Sequence, residues 1–397
     1  MSLKNNAVLT NKNFMIYCFA SLFFVIGGGI IPFLVLLLHH DFNISSSHLG
    51  FLFIIIMLSL IPAIVLGGKL ADKYNKKKLI IVFRLGYALS LLIYTQINNS
   101  IIRLFLLLLA IIFMGISRPS LTAFTFDLFP EADSKKAISV IYIFQNIGNI
   151  FVPIISAILF FDTENLFSFY ALLTFLGLLT VLFFVKSEKG SYVQQNKEED
   201  EEKLKPVKIK DYFLKRSFGI FFLVLVFYEF SYAQQSYALP IKLEEFGENG
   251  VLYYGYLLSL NSALLVCLTP IITFFTKKSK ISILLIFSGL FCGIGFGILF
   301  FNNHLSVLVL ATFIWTIGEI LYGTNGIILL KDTLFKKNIG MASSFMFTSR
   351  VIGMSLSALL ASFLVSQNAL HFIWIIVFSI SVLSSLILWL YTRKKAV

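Results

Sequence analysis

Long apolar runs recur along the whole chain and are cleanly separated from one another. Twelve of them lie at about residues 13–37, 47–70, 79–97, 102–125, 137–160, 166–186, 218–240, 251–275, 281–301, 305–330, 338–365 and 370–391. A helix needs about 20 apolar residues to cross the hydrocarbon core of a bilayer. The runs have this length, and the sequence therefore predicts an all-α integral membrane protein with twelve transmembrane helices.

The composition excludes the main alternatives to a membrane protein. Hydrophobic residues make up 58% of the 397 residues and charged residues only 13%, whereas a soluble domain has about 25% charged residues. A soluble domain of this size has too little interior to bury so much apolar surface. We therefore exclude a soluble enzyme, a secreted disulfide scaffold and a disordered chain.

No motif for catalysis or cofactor binding is visible. The sequence contains no Gly-x-x-x-x-Gly-Lys-Ser/Thr phosphate loop, and its five histidines lie at the predicted outer ends of spans. Its cysteines, Cys18, Cys267 and Cys292, lie in apolar runs without the spacing of a metal site or a disulfide framework. We predict that the protein is not an enzyme and binds neither a cofactor nor a metal.

Lysine and arginine are distributed unevenly between the two sides of the predicted membrane. If the N-terminus is cytoplasmic, 27 of the 32 lysines and arginines fall on the cytoplasmic side, as the positive-inside rule requires. Both termini are therefore predicted to be cytoplasmic, in a bacterial-type plasma membrane. Since this asymmetry accounts for the net charge of +12, we expect no nucleic-acid partner. The expected partners are the lipid bilayer, a small-molecule substrate and protons, and we expect a monomer.

The twelve runs form two groups of six, separated by the one long polar stretch of the chain. The predicted halves are residues 1–186 and 218–397, and residues 187–217 form a cytoplasmic linker that carries an acidic run among many lysines. Such a stretch is typical of a solvated linker. Parallel repeats of six helices are known from one class of secondary transporter in particular.

The loop between the second and third runs carries a specific pattern. It reads Gly-Lys-Leu-Ala-Asp-Lys-Tyr-Asn-Lys-Lys-Lys-Leu over residues 68–79. This closely resembles the signature loop of the major facilitator superfamily, Gly-x-Leu-Ala-Asp-basic-x-Gly-basic-basic-x-Leu. The resemblance implies the major facilitator fold and a secondary transporter. It assigns a gating loop to Gly68, Asp72, Lys73, Lys76 and Lys77.

One position of the loop departs from the family pattern, because Asn75 stands where the family has its second glycine. Asparagine adopts the left-handed conformation more readily than most residues other than glycine. We therefore expect a left-handed turn at Asn75. Gly68 is expected to let two helices approach closely. Asp72 is expected to form a contact that breaks when the two halves move.

A weaker resemblance concerns the fifth run. Antiporters of the superfamily carry Gly-x-x-x-Gly-Pro-x-x-Gly-Gly there. Gly148 and Pro153 match this pattern, while Val152, Ser156 and Ala157 stand at the other glycine positions. Serine and alanine are small enough for close packing, and valine is not. This resemblance favours export.

The tenth run adds to the antiporter resemblance, and the fourth run departs from it. The Gly318-Glu319 pair is similar to one found in some bacterial multidrug:proton antiporters. The arginine that the drug-exporter branch carries in its fourth span would fall at Ile111 and is therefore absent. The proton-handling residues of that branch are thus not simply transferred to this chain.

Three charged residues lie near the middle of predicted spans. Glu229, Glu319 and Arg350 belong to the seventh, tenth and eleventh runs, where a charge is costly and is a functional candidate by default. The surplus of one carboxylate over Arg350 favours a protonatable site. We predict Glu319 as the main proton carrier, Glu229 as the second carboxylate and Arg350 as the counter-charge. The alternative is a static Glu–Arg pair.

Polar and aromatic residues recur at helical spacing on several runs, as on faces that line a watery cavity rather than lipid. The predicted substrate cavity comprises Tyr142, Gln145, Asn146, Asn149, Arg118, Tyr232, Gln235, Trp315 and Tyr322. For Arg118, a structural pair with Asp127 is the alternative. Arg84 lies near the end of its run and is interpreted as an interface anchor or as a partner of Asp72 or Asp127.

These features together predict a proton-coupled secondary active transporter that exports a small amphipathic or organic solute by alternating access. A proton:solute symporter for uptake, built from the same parts, is the first alternative. A non-transporting membrane receptor or assembly subunit is the second, and the loop around Asp72 argues against it.

Overall fold

The structure is a computed structural model that describes residues 10–42, 44–128, 131–186, 216–301, 304–333 and 339–394. The regular elements in these ranges are helices. The α-helices are Lys12–Gly27, Ile30–His40, Ser46–Lys73, Lys76–Gln96, Ser100–Asp127, Glu131–Ile158, Thr163–Leu179, Arg216–Tyr232, Ala238–Leu243, Glu248–Thr276, Ile281–Gly297, Leu305–Thr333, Ile339–Ser366 and Phe372–Lys394. The predicted linker 187–217 lies almost entirely outside the described residues.

The described helices contain twelve stretches that are long and apolar enough to cross a membrane. These spans, numbered 1 to 12 in chain order, are Lys12–His40, His48–Lys73, Lys76–Gln96, Ser100–Thr125, Val140–Ile158, Thr163–Phe184, Phe218–Phe246, Glu248–Thr276, Ile281–Phe300, Leu305–Leu330, Phe345–Ser366 and Phe372–Arg393. They coincide with the predicted apolar runs to within a few residues. The predicted fold class is confirmed.

Span 1 is interrupted at its three consecutive glycines, residues 27–29. A Cβ atom on Gly27 would lie 2.4 Å from Thr174 Oγ1, and one on Gly29 would lie 2.6 Å from Val152 Cγ1. Glycine is therefore needed for span 1 to pack against spans 5 and 6. The Tyr87 hydroxyl donates a hydrogen bond to the Gly27 carbonyl at 2.6 Å, which satisfies a backbone group at the interruption.

The chain divides into two compact units. The first comprises Met1–Phe33 and Ile56–Pro206, and the second comprises Leu34–Ile55 and Val207–Val397. The units thus differ from the predicted halves by residues 34–55, which include the adjoining ends of spans 1 and 2 and group with the second unit. We refer to these as the first and second units.

The same pairs of helices pack together in each unit. In the first unit, span 1 packs on spans 5 and 6, and span 3 packs on spans 4 and 6. In the second unit, span 7 packs on spans 11 and 12, and span 9 packs on spans 10 and 12. A shift of six spans converts one set into the other. This correspondence agrees with a parallel repeat of six helices.

Residues 34–55 are held in the second unit by specific contacts. The backbone amide of Gly50 donates a hydrogen bond to Ser362 Oγ at 2.8 Å. At the end of span 1, His40 Nε2 lies 3.3 Å from an oxygen of Glu244. Both contacts join the adjoining ends of spans 1 and 2 to spans 7 and 11 of the same unit.

Candidate functional site

The connection between spans 2 and 3 consists of only two residues, Tyr74 and Asn75. Asn75 has φ −62° and ψ 115°, so its backbone is extended. The expectation of a left-handed turn at this residue is therefore wrong. Its side-chain oxygen instead accepts a hydrogen bond from the backbone amide of Lys78 at 3.1 Å. Asparagine is a favoured N-cap residue. In this chain the position therefore requires a helix cap rather than a positive φ.

Close helix packing at this loop depends on Gly67 rather than on Gly68. Among the residues that the structure describes, no atom lies within 4 Å of a Cβ built on Gly68, whereas a Cβ on Gly67 would lie 2.2 Å from the Ile116 carbonyl oxygen. Span 2 therefore approaches span 4 closely at Gly67. In the first unit, the role expected for Gly68 belongs to its neighbour.

Lys77 has a structural role within the first unit. Its ammonium group donates hydrogen bonds to the Leu182 carbonyl at 3.1 Å and to the Val185 carbonyl at 2.8 Å. These carbonyls lie at the end of span 6, where a helix leaves its last carbonyls unpaired and a cation is favourable. Lys77 thus ties span 3 to the end of span 6.

Two other charged residues of the gating loop, Asp72 and Lys73, are exposed, and Lys76 is partly buried. Asp72 and Lys73 lie in the last turn of the second span and are exposed, and Lys76 opens the third. Among the residues that the structure describes, Asp72 has no ion pair or hydrogen-bond partner. A gating contact of Asp72 stays a prediction.

Glu229 is the centre of a buried ion pair in the second unit. Its side chain is 2% exposed, and one oxygen accepts a hydrogen bond from Arg350 Nε at 3.1 Å. The other oxygen accepts a hydrogen bond from the Tyr322 hydroxyl at 2.9 Å. Arg350 is 53% exposed. Both oxygens of Glu229 are therefore occupied, and the positive charge of Arg350 offsets its negative charge.

The ion pair follows from close packing between spans 7 and 11. A Cβ atom on Gly353 would lie 2.8 Å from Glu229 Cβ and 2.8 Å from the Val226 carbonyl oxygen. Only glycine lets the two helices approach so closely here. Because Arg350 precedes Gly353 by one helical turn on the same face, this contact brings the guanidinium to Glu229. Gly353 was not among the predicted site residues, although its spacing from Arg350 is readable in the sequence.

Glu319 has a different environment. One of its oxygens accepts a hydrogen bond from Asn261 Nδ2 at 2.8 Å, and the same amide group lies 2.9 Å from Thr316 Oγ1. Tyr232 is a further neighbour that interacts electrostatically with this carboxyl group. Within the described part of the chain, no lysine, arginine or histidine lies within 4 Å of Glu319. Arg350 thus pairs with Glu229 and not with Glu319.

Asn261 was not among the predicted site residues. It lies in the middle of span 8 and is 5% exposed. A lone asparagine inside an apolar span has the same significance as a charge there, because its polar groups must be satisfied without water. This signal was available from the sequence, whereas the pairing of Asn261 with Glu319 on span 10 was not.

The remaining predicted cavity residues of the second unit have varied surroundings. Tyr322 is buried, and its ring stacks on Tyr228 at a centroid distance of 3.7 Å. Gln235 is buried in a short 3₁₀ turn that interrupts span 7. Trp315 is fully buried, and its ring stacks on Phe296 at 4.6 Å. Trp315 is therefore a core residue and does not face water, contrary to the expectation from its helical stripe.

The first unit contains a cavity of about 470 Å³ that is lined by predicted residues. Arg118, Gln145 and Asn149 line it. Asn146 is buried, its amide donates to the backbone carbonyl of Tyr142 at 2.8 Å, and Tyr142 itself is exposed. Neither of these two lines the cavity. Successive residues of a helix differ by about 100° in direction, so Gln145 and Asn149 face the cavity and Asn146 does not.

Arg84 also lines this cavity, contrary to its interpretation as an interface anchor. The residue is 5% exposed, and its Nη1 atom donates to the Phe24 carbonyl at 3.4 Å. Within the described residues, no carboxylate lies within 4 Å of its guanidinium. Asp72, one of the two partners considered for it, is exposed elsewhere, and the side chain of Asp127 lies outside the description.

Two six-helix units with matching helix pairs, and charged side chains buried inside apolar spans, define a multi-pass membrane protein of the secondary-transporter class. Comparison with known protein families agrees with this class of protein. The profile of the Major Facilitator Superfamily matches residues 14–358. The chain belongs to this superfamily, whose members are transporters and not enzymes.

Individual relatives are distant. A curated protein from Planococcus maritimus, named "Na(+), Li(+), K(+)/H(+) antiporter", is 22% identical over 319 residues, which cover 74% of this chain and 75% of the relative. Among solved structures, the peptide transporter POT in complex with sulfate is similar with a TM-score of 0.77, 16% identity and coverage of 96% of this chain and 94% of that chain. The nucleoside transporter NupG matches with a TM-score of 0.78, 14% identity and coverage of 96% and 98%. The structural matches show the shared fold.

Proposed function

We propose that this protein is a proton-coupled antiporter that exports a small organic solute by alternating access, and that Glu319 carries the proton. The observation that supports this assignment is the contrast between the two carboxylates of the second unit. Glu229 is paired with Arg350 at 3.1 Å, whereas Glu319 has hydrogen-bond partners but no cationic partner among the described residues.

This contrast separates two chemical roles. The charge of Glu229 is offset in place, so a proton there would have to compete with Arg350. An ionised Glu319 carries a charge that no cation of the described residues offsets within 4 Å, whereas a protonated Glu319 is neutral and retains its hydrogen bond to Asn261. Gain and loss of one proton therefore change the net charge of the Glu319 site. A transporter that couples proton and solute movement needs such a group.

The antiport direction is supported by the relative from Planococcus maritimus, whose printed name describes exchange of cations for protons. The antiporter-like residues Gly148 and Pro153 of span 5 agree with it. The plasma membrane of a bacterial-type cell is the compartment in which an inward proton gradient would drive such export.

The test uses purified protein in liposomes with an imposed pH gradient and a pH-sensitive dye inside. Solutes from a compound library are added one at a time, and solute-dependent proton flux is recorded. We expect Glu319→Gln, which mimics the protonated carboxyl, to abolish this flux. Counterflow of radiolabelled solute without a pH gradient should remain measurable, because the glutamine side chain keeps the hydrogen-bonding shape of the site.

Glu245→Gln is the matched control. Glu245 lies in the same unit, and its side chain is 56% exposed and pairs with Lys242 at 2.9 Å. The same charge is removed at a surface site, so proton flux should stay at the wild-type level. Wild-type flux in Glu319→Gln would contradict the assignment and direct attention to Glu229. Flux into the liposomes together with the solute would instead identify the uptake symporter.

Alkali metal cations are a second candidate substrate class, because the printed name of the relative includes Na⁺, Li⁺ and K⁺. The carboxylate of Glu319 and the hydroxyl of Thr316 offer the oxygen ligands that such ions prefer. The same liposome assay tests this candidate by adding NaCl, LiCl or KCl in place of an organic solute. Proton flux that depends on one of these salts and disappears in Glu319→Gln would favour it.

A further inference from the structure

Arg84 in the first unit has more hydrogen-bond donors than the described residues satisfy. A guanidinium carries five N–H donors, and the structure pairs Arg84 Nη1 with the Phe24 carbonyl at 3.4 Å. Its Nε atom is buried and has no hydrogen-bond partner among the described residues. The guanidinium carbon lies 5.0 Å from the centre of the Phe24 ring. The remaining donors are thus left for a group that enters the cavity.

The charge of the cavity points the same way. Arg84 and Arg118 both line it, and no aspartate or glutamate of the described chain does. Arg84 is 5% exposed and has no carboxylate within 4 Å among the described residues. A buried cation without a counter-charge is costly, and two arginines in one lining give the cavity a positive potential. A negatively charged group in the cavity would lower the cost of burying Arg84 and would be attracted by the positive potential.

The rest of the lining suits a solute that is both polar and apolar. Gln145 and Asn149 present amide groups, and Gln145 is oriented by a hydrogen bond from its Nε2 atom to Ser21 Oγ at 3.1 Å. Met114 and Leu121 contribute apolar surface. The volume of about 470 Å³ lies within the range of about 300–1,000 Å³ of small-molecule sites. The cavity therefore combines an anchor for charge with room for an organic body.

We infer that the cavity of the first unit is a binding site for a small organic anion, with an oxyanion head group held by Arg84 and Arg118 and an apolar body against Met114 and Leu121. Arginine suits this role because its fork of donors matches the two oxygens of a carboxylate or phosphate. The inference rests on the proposed function in one respect, since it names the class of solute that the antiporter would move.

The test measures binding to the full-length protein in nanodiscs of phosphatidylcholine, without a proton gradient. Three probes share a phenylalkyl body and differ in charge: phenylbutyrate, the neutral phenylbutyramide and the cationic phenylbutylammonium. Isothermal titration calorimetry gives their dissociation constants. We expect phenylbutyrate to bind at least about tenfold more tightly than the other two. Inorganic phosphate should compete with phenylbutyrate.

Two variants and one control locate the site. Arg84→Gln and Arg118→Gln should each weaken phenylbutyrate binding by about tenfold or more and leave phenylbutyramide unchanged. Arg103→Gln removes the same charge from the same unit, but Arg103 pairs with Glu164 at 3.4 Å and does not line the cavity. It should bind phenylbutyrate as the wild type does. The second variant keeps the test decisive if the first does not fold.

Several outcomes would overturn the inference. They are equal affinity for the anionic and cationic probes, absence of binding by phenylbutyrate at millimolar concentration, or wild-type affinity in both cavity variants. Because binding is measured without a gradient, its failure leaves the assignment of Glu319 untouched. Conversely, anion binding that survives while Glu319→Gln retains proton flux would refute the coupling proposal and preserve the anion site.

Discussion

The two partners of the buried ion pair in the second unit should respond unequally to removal. Glu229 is 2% exposed, whereas Arg350 is 53% exposed. Arg350→Met leaves a carboxylate that is 2% exposed and whose remaining hydrogen-bond donor, among the described residues, is the Tyr322 hydroxyl. Glu229→Gln leaves an arginine whose side chain is 53% exposed. The first variant should therefore be much less stable than the second.

The magnitudes follow from burial. Removing one partner of a buried pair and stranding the other charge costs about 3–5 kcal/mol, and this range applies to Arg350→Met. The loss should be smaller for Glu229→Gln, because Arg350 is 53% exposed and not enclosed as Glu229 is, and the glutamine side chain still accepts the Tyr322 hydrogen bond. The double variant strands no charge. Its loss in free energy of unfolding should be close to the loss in Glu229→Gln alone and well below the sum of the losses in the two single variants.

Reversible unfolding in mixed detergent micelles, titrated with sodium dodecyl sulfate and followed by tryptophan fluorescence, gives the free energy of each variant. The four proteins of the cycle are measured under one condition. Equal losses for the two single variants would show that burial of Glu229 does not control the energetics. Strict additivity in the double variant would show that the two side chains do not interact in the folded protein.

Three further predictions concern the loop between spans 2 and 3. Gly67→Ala should destabilise the protein by about 1–3 kcal/mol because its methyl group would lie 2.2 Å from the Ile116 carbonyl oxygen. The described residues leave open space around a Cβ on Gly68, so Gly68→Ala should not lower the melting temperature, and equal melting temperatures for the two variants would refute the distinction. Asn75→Ala removes an N-cap and should cost about 1 kcal/mol, seen as faster amide hydrogen exchange in the first turn of span 3; unchanged exchange would show that the cap is unimportant. Asp72→Asn should fold normally, because its side chain is exposed without a partner in the described chain, yet slow transport in liposomes. A wild-type rate would remove Asp72 from the mechanism.

The sequence was a good guide to everything that depends on one helix at a time. A run of about 20 apolar residues crosses a bilayer whatever its neighbours are, so the spans, their number and their grouping were readable. A charge in the middle of an apolar run is unusual in any fold, so Glu229, Glu319 and Arg350 were readable from the sequence as candidates, and their roles in transport stay predictions. The loop of residues 68–79 indicated the superfamily, and the family match agrees.

Contacts between helices were not readable in this way. The sequence left open which glutamate meets Arg350, and the structure pairs it with Glu229 because Gly353 lets spans 7 and 11 approach closely. Likewise, Asn261 became a partner of Glu319 only when span 8 packed beside span 10. Each of these residues is a plausible candidate by itself, and only the packing selects the pairs.

The same division explains the expectations that were wrong. Helical spacing placed Trp315 on a polar stripe, but its ring is fully buried against Phe296. Arg84 lies near the end of its apolar run. In the packed unit, however, its side chain lines a cavity beside Phe24. Periodicity determines which residues share a face of a helix. The rotation of that helix about its axis, and therefore whether the face meets a neighbour or a cavity, is determined by how the side chains of several helices interlock, and this information exists only in the tertiary structure.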